Sequence, residues 1–279
     1  MTPELITSKD NPLVKRLRAL ANDTTAYRRD GSVWLEGDHL LRALLARAEV
    51  PEVVVYTEAA WAQQVAGTSA VPVPQPLELP AQTRCVVVPM AVMKSLSGLE
   101  SAPHLGALWR LPATTEPQAG VPTVVLDRLQ DPGNVGSVLR SAAAMGFRQV
   151  VALRGSAALW APKVLRAGMG AHFGLHLVEG AEARALTGLS LPLLMTSSHQ
   201  GEWLHQAVLP WPCAWVLGHE GQGVSAELLE VAAAAPAGMH PIRIAQPGGE
   251  ESLNVAAAAA ICLHHSATIR GRNGGGAGL

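Results

Sequence analysis

Apolar residues recur at helical spacing in NPLVKRLRALAN (11–22) and DHLLRALLARA (38–48), and condense into short continuous runs in EVVVY (52–56) and RCVVVP (84–89). The first pattern predicts amphipathic helices and the second short buried strands. Further on, TVVLD, QVVALR, LHLVEG, LPLLMTSS, CAWVLG and PIRIA alternate with helical patterns at 134–145, 161–171, 225–235 and 252–266. Strands alternating with helices predict a parallel sheet covered by helices. Proline and glycine crowd into VPVPQPLELP (71–80) and LPATTEPQAGVP (111–122), too proline-rich for regular structure. The second cluster divides the chain into a small α/β domain at 1–111, a linker at 112–121 and a larger α/β domain at 122–269; the RGRNGGGAGL tail at 270–279 is expected to be flexible.

Of the 279 residues, 48% are hydrophobic and 15% charged, enough apolar material for two cores and too much for a disordered chain. The formal net charge is −1, so no bulk positive field announces a nucleic-acid partner; contacts with RNA or DNA must come from local patches. The densest basic run holds Lys9, Lys15, Arg16, Arg18, Arg28 and Arg29, which also fits a solvated helix face. Cys85, Cys213 and Cys262 are too scattered for a disulfide framework or a zinc site, which points to a reducing cytosol. MTPELITSKDNP lacks an apolar signal core and no stretch approaches the roughly 20 apolar residues of a membrane span. The expectation is a soluble, cytoplasmic protein with no membrane partner and no metal.

Three loops after strands hold the candidate chemistry, where ligands gather in open parallel sheets. In DPGNVGSVLRSAAAMGF (131–147), Asn134 suits a helix N-cap. Arg140 should lean back over Gly136 toward the positive helix end, a poor place for a cation unless an anion such as phosphate sits there too. Spacing leaves open the alternative of a surface arginine paired with Asp131 or Asp127. LGHEGQGVS (217–225) carries Gly218, Gly221 and Gly223 with Glu220 as its one acid; it matches neither a Walker loop nor a GxGxxG fingerprint. In IRIAQPGGEESLNVAAAAAICLHH (242–265), Ser252 fits an N-cap, with Leu253 and Asn254 in the first turn. Ser198 and His199 lie in no nucleophile elbow, and the adjacent His264 and His265 make a poor metal pair, so hydrolase and metalloenzyme chemistry are set aside.

Taken in order, N-x-G-x-x-x-R-S-A at 134–142, L-G-x-E-x-x-G at 217–223 and S-L-N-V at 252–255 resemble the three motifs of the SpoU (TrmH-like) RNA ribose 2′-O-methyltransferases of the SPOUT superfamily. APKVLRAGMGAHF (161–173) resembles that family's R-A-S-x-G stretch, with Gly168 where serine is usual. ITSKDNPLVKRL, VWLEGDHLLRALL and HLGALWRL are similar to its L30e-like substrate-binding domain.

The resemblance implies a C-terminal α/β-knot, a deep trefoil knot in a parallel sheet flanked by helices, beside a smaller N-terminal L30e-like domain. It implies S-adenosylmethionine as methyl donor, ribosomal or transfer RNA as partner, with ribosomal RNA favoured, and a homodimer through the C-terminal domains. By motif, Leu217, Gly218, Ile244, Leu253 and Asn254 would contact the cofactor. Asn134, Arg140, Glu220, Ser252 and Asn254 would form the catalytic set, and Lys15, Arg16, Arg140 and Arg166 would meet RNA. Alternatives are a base methyltransferase of the same superfamily and a non-catalytic RNA-binding protein; the full N-x-G-x-x-x-R motif speaks against the first and the intact polar set against the second. Departures from the pattern are His219, where a small or amide residue is common, and the acidic Glu250 and Glu251.

Overall fold

The computed structural model describes residues 2–66, 76–113, 116–249 and 253–273. They form two compact units: one takes the chain up to Ala113 together with Trp160–Phe173, and the other takes the stretches ending at Leu159 and beginning at Gly174.

In the first unit, β1 (Glu4–Leu5), β2 (Ser32–Glu36), β3 (Val53–Thr57), β4 (Arg84–Val88) and β5 (Leu105–Arg110) make a mixed sheet in the order β1-β4-β3-β5-β2. The helices α1 (Pro12–Asn22), α2 (Ala26–Asp30), α3 (Asp38–Leu45), α4 (Glu58–Ala66) and α5 (Met90–Met93) accompany it. Strand β3 lies between β4 and β5 and is buried throughout, which is why its valine run shows no polar alternation. Helix α1 opens as its sequence predicts: Asn11 Oδ1 accepts the Leu13 N–H at 2.8 Å, Pro12 follows the cap, and Val14, Leu17 and Leu20 form the buried stripe.

The second unit is a seven-stranded sheet of β6 (Thr123–Leu126), β7 (Gln149–Leu153), β8 (His176–Ala181), β9 (Leu193–Thr196), β10 (Glu202–Trp203), β11 (Ala214–Leu217) and β12 (Met239–Arg243). Its order is β10-β12-β9-β11-β6-β7-β8, with every pair parallel. Along the chain follow α6 (Pro132–Ala144), α7 (Pro162–Gly168), α8 (Ala226–Ala233) and α9 (Val255–Asn273), of which α7 goes to the first unit. Helices α6 and α9 pack on one another, α6 also against β7 and α9 against β11. Between β11 and α9, the Trp215 indole N–H donates to Ser266 Oγ at 2.9 Å, satisfying two buried polar groups at once. The chain runs outward from β6 through β7 and β8, then crosses to β9, and β11 returns beside β6. The carboxyl ends of β6 and β11 therefore flank a topological switch point, where loops diverge and leave a crevice.

Several sequence expectations change. The helix expected from 134 begins at Pro132 and is capped by Asp131, whose Oδ1 accepts the Asn134 N–H at 2.7 Å. Asn134 is thus inside the first turn and its side chain is released from capping. The last helix runs through Asn273, into the stretch expected to be a flexible tail. Within the expected linker, Gly120 N–H bonds the Leu189 carbonyl at 2.8 Å and Gln118 N–H bonds Gln149 Oε1 at 2.7 Å, so this part is fastened to the second unit.

The expected continuous domain at 122–269 is interrupted, because Trp160–Phe173 joins the first unit. Trp160 and Phe173 lie 5.7 and 5.4 Å from the Trp109 ring, an aromatic cluster that a two-domain cut by proline content does not reveal. Gly168 in this excursion is closely packed: a Cβ there would lie 2.3 Å from Cε1 of His172, which is 1% exposed.

The three cysteines are free and buried; burial pushes Cys213 and Cys262 up to about 12, so these thiols stay protonated and inert. Among the described residues no helix is long and apolar enough to cross a membrane, and no cluster of metal-ligating side chains is present.

Arg16 and Asp30 make the firmest ion pair in the first unit, with Arg16 Nε and Nη2 each 2.8 Å from the Asp30 carboxylate. The Arg16 hydrogen bond lowers the Asp30 pKa against the opposing effect of burial. Asp30 therefore contributes stability that is complete above the unfolded-state value of about 3.9 and is lost as pH falls through the lower folded-state value. Asp30→Asn should cost about 1–3 kcal/mol at pH 7. Urea unfolding should show that difference shrinking on the acid side of pH 4.

Candidate functional site

Four neighbouring parallel strands, β6, β11, β9 and β12, end on one edge of the second sheet. The loops leaving them include all three sequence motifs.

Asn254 precedes α9, and its Oδ1 accepts the N–H groups of Ala256 at 2.9 Å and Ala257 at 3.3 Å. It is the cap that the sequence assigned to Ser252, which lies outside the described residues with Glu250 and Glu251. Because the oxygen is committed to the helix, the Asn254 amide must offer its NH2 elsewhere, and Nδ2 donates to Asn134 Oδ1 at 3.1 Å. The orientation of Asn134 is then fixed in turn: Nδ2 donates to Glu220 Oε1 at 3.0 Å. One helix cap sets the direction of a chain that joins residues 120 and 86 positions apart.

Around Glu220 the 217–223 loop closes on itself. His219 N–H bonds the Gly223 carbonyl at 3.0 Å and Gly223 N–H returns to the His219 carbonyl at 2.8 Å. Gly218 is packed so tightly beneath this closure that a Cβ would fall 2.3 Å from the Gly223 carbonyl carbon and 2.4 Å from the Val224 nitrogen. No side chain fits there. Gly223 itself has φ +66°, a left-handed conformation suited to glycine. The unusual His219 also has a part, since its Nδ1 accepts the Gly221 N–H at 3.0 Å and braces the turn from within. At the loop's far end the buried Asp127 Oδ2 accepts the Ser225 N–H at 2.6 Å, and Ser225 Oγ caps α8 through the Leu228 N–H at 3.4 Å.

Beside the loop is a cavity of about 530 Å³, large enough for a nucleoside-sized ligand. Gly218, Glu220, Ile244 and Leu253 are among its lining residues. Leu217 is not; it is 0% exposed in the core, and only its backbone belongs to the loop. No linear pattern places Thr196–Gln200 here, yet this whole segment lines the cavity. Ser197 Oγ shapes it by accepting the N–H groups of His199 at 3.2 Å and Gln200 at 3.0 Å, a local turn that SSHQ announces only in hindsight. Gln246, another lining residue, keeps a buried Oε1 without a hydrogen-bond partner among the described residues. A buried acceptor left open costs free energy unless a ligand donor meets it. A second hollow of about 560 Å³ runs along α9, apolar and lined by Met145, Leu204, Ile261 and His264 among others; it shares only Ile244 with the candidate set.

Arg140 is exposed on α6 and has no ion pair among the described residues. Its two anticipated acidic partners are otherwise engaged: Asp131 caps α6, and Asp127 binds Ser225 and pairs with Arg128. The remaining basic candidates differ from it. Lys15 forms an exposed pair with Asp10 at 3.1 Å, which contributes little. Arg16 is held by Asp30, by Glu52 at 3.2 Å and by Ser32 at 3.1 Å. Arg166 Nη1 sits 3.6 Å from Glu36, whose carboxyl burial pushes its pKa up while the Arg166 charge opposes the rise. Arg16 and Arg166 are thus matched to internal acids within the first unit, and Arg140 stays available to an outside anion.

The profile of the SpoU rRNA Methylase family matches residues 122–264. An uncharacterised tRNA/rRNA methyltransferase of Synechocystis is 31% identical over 268 residues, covering 94% of this chain and 92% of that protein. The 23S rRNA (guanosine(2553)-2′-O)-methyltransferase RlmP of Bacillus subtilis is 28% identical, covering 83% and 86%. Among solved structures, the AdoMet-bound rRNA methyltransferase of Sinorhizobium meliloti has the same fold, with a TM-score of 0.75 and 23% identity over 95% of this chain and 98% of that one. The match across more than half of the chain, together with a relative aligned over nearly the full length of both proteins, makes this chain a member of the SpoU rRNA methylase family.

Proposed function

We propose that this protein methylates a ribose 2′-hydroxyl of RNA, in ribosomal rather than transfer RNA, and takes the methyl group from S-adenosylmethionine held in the cavity at the ends of β9, β11 and β12. The observation that carries this is the directed chain Asn254–Asn134–Glu220, which ends on a residue of the cavity wall. The 2′-O activity of the Bacillus subtilis relative supports the choice of atom and of RNA.

The residues present fit the donor. Gly218 lets the closed turn pack down on it and form the cavity wall, and Gln246 Oε1, buried with no hydrogen-bond partner among the described residues, offers an acceptor to an amine or hydroxyl. Gly218, Ile244 and Leu253 would hold it, largely by backbone and apolar contact, with Asn254 fixing the entrance to α9. When bound, S-adenosylmethionine supplies an electrophilic methyl group on a sulfonium.

The chain's own task is to make a poor nucleophile competent, since a ribose hydroxyl is almost wholly protonated at neutral pH. Arg140 supplies fixed positive charge for the adjacent RNA phosphate and for the alkoxide as it forms, an effect of about 3–4 kcal/mol in comparable sites. Its guanidinium stays protonated, so it acts by charge and the proton leaves to phosphate or water. Asn134 and Asn254 orient the ribose, while Glu220 keeps the 217–223 loop in register through Asn134. Ser252 would complete the set from the adjoining loop.

The proposal extends to a homodimer through the C-terminal domains, for which the apolar hollow along α9 and its 41% exposed Ile261 offer a face. The three free buried cysteines suit a cytoplasmic home. The α/β-knot belongs to the same proposal, as does an RNA-binding role for the first unit with Lys15 on its surface.

Arg140→Ala should lower kcat by about 10²–10³-fold and leave S-adenosylmethionine affinity within about twofold; retained turnover would remove Arg140 from the mechanism. Gly218→Ala should weaken S-adenosylmethionine binding at least about tenfold in calorimetry, since the added methyl collides with the Gly223 backbone. Mapping ribose methylation in ribosomal RNA from cells lacking the protein should reveal a missing 2′-O-methyl group. If every ribosomal ribose methylation persists, the substrate assignment is wrong.

A further inference from the structure

Arg128 follows β6 and belongs to none of the three motifs. Its backbone is left-handed, φ 60°, a conformation that arginine rarely adopts. Its stem runs past Gly155, where a Cβ would approach Arg128 Cγ to 3.2 Å, so the neighbouring turn is also shaped to let it through. Beyond the stem, the guanidinium spends three donors in three directions. Nε donates to Asp127 Oδ1 at 3.2 Å, Nη1 to Gln222 Oε1 at 3.0 Å and Nη2 to the Gly223 carbonyl at 3.4 Å.

The acceptors identify what is being held. Gln222 and Gly223 lie in the closed turn that covers Gly218 and lines the cavity, and Asp127 holds the end of the same loop through the Ser225 N–H. The dipeptide Asp127-Arg128 thereby grips the loop at both its apex and its exit. Glu220, which receives the Asn134 amide, lies two residues before the first of these grips. Apart from its own backbone bonds and the His219 brace, this exposed turn has few other tethers among the described residues, so its shape depends on the arginine more than on core packing.

We infer that Arg128 is a positioning residue which latches the 218–223 loop in the form that receives the methyl donor. This rests on the reading that S-adenosylmethionine occupies the cavity. A planar fork is required, because one ammonium group cannot meet a carboxylate, a side-chain amide and a backbone carbonyl that diverge in this way.

The test uses the full-length protein and the variants Arg128→Ala, Arg128→Lys and Gln222→Ala, with two readouts. Amide hydrogen exchange on the free protein should show residues 221–223 exchanging at least about tenfold faster in Arg128→Ala, with the amides of β6 and β11 unchanged. Calorimetry should show S-adenosylmethionine binding weakened about tenfold, and turnover should show a matching increase in its KM at nearly unaltered kcat. Arg128→Lys should behave like the alanine variant, and Gln222→Ala, which removes one exposed acceptor and threatens no core, should fall between it and the parent. Unchanged exchange at 221–223, or faster exchange spread through β6 and β11, overturns the latch. A parent protein that binds no S-adenosylmethionine overturns the cofactor reading instead, and the exchange result then judges the loop-holding role alone.

Discussion

An amide side chain has a donor end and an acceptor end, and at Asn254 the first turn of α9 takes the acceptor. Two backbone N–H groups at the start of a helix have no intrahelical partner, and Asn254 Oδ1 meets both. The orientation of Asn134 and its bond to Glu220 follow from that commitment. The NH2 is left pointing at Asn134, whose oxygen must accept it, and the Asn134 NH2 is left with the Glu220 carboxylate. Three side chains from three distant loops take a single orientation because one helix needs a cap. Each of these bonds is solvent-accessible and individually modest, about 1 kcal/mol, so they contribute direction more than stability.

Beneath this chain the constraint is steric. Gly218 lies against the Gly223–Val224 peptide too closely for any Cβ, and the closed turn above it carries Glu220 into reach of Asn134. His219 and Arg128 brace that turn from inside and outside. The parallel sheet supplies the frame: with β6, β11, β9 and β12 adjacent and co-directional, their outgoing loops have one edge to share. In this arrangement the cavity arises at the ends of β9, β11 and β12, and the polar chain ends on its wall at Glu220.

The first unit shows how readily the same residue types serve a different end. Arg16, Arg166 and Arg140 are equal in a count of charges, yet Asp30 and Glu52 hold the first, the buried Glu36 faces the second, and the third has no acidic partner among the described residues. A guanidinium matched to an internal acid is part of the scaffold; one exposed and without an acidic partner among the described residues is available to a ligand. The Gly168–His172 contact makes a similar point, since the space a side chain would need at Gly168 is taken by the His172 ring.

Periodicity and punctuation along the chain were sufficient for the parallel α/β character of the second unit, for helix α1 with its Asn11 cap, and for placing the three motif-bearing loops after strands, because each rests on neighbours within a few residues. The same local rules misplaced two caps, giving Asn134 the place of Asp131 and Ser252 that of Asn254, since several polar residues within one turn compete for the same amides and only the folded backbone chooses between them. Strand order, the passage of Trp160–Phe173 into the first unit, the cavity wall from Thr196 to Gln200, and the internal partners of Arg16 and Arg166 were decided by tertiary structure alone. Each joins residues tens of positions apart by a distance, and a linear pattern specifies which residues seek burial or a partner without specifying which partner they will reach.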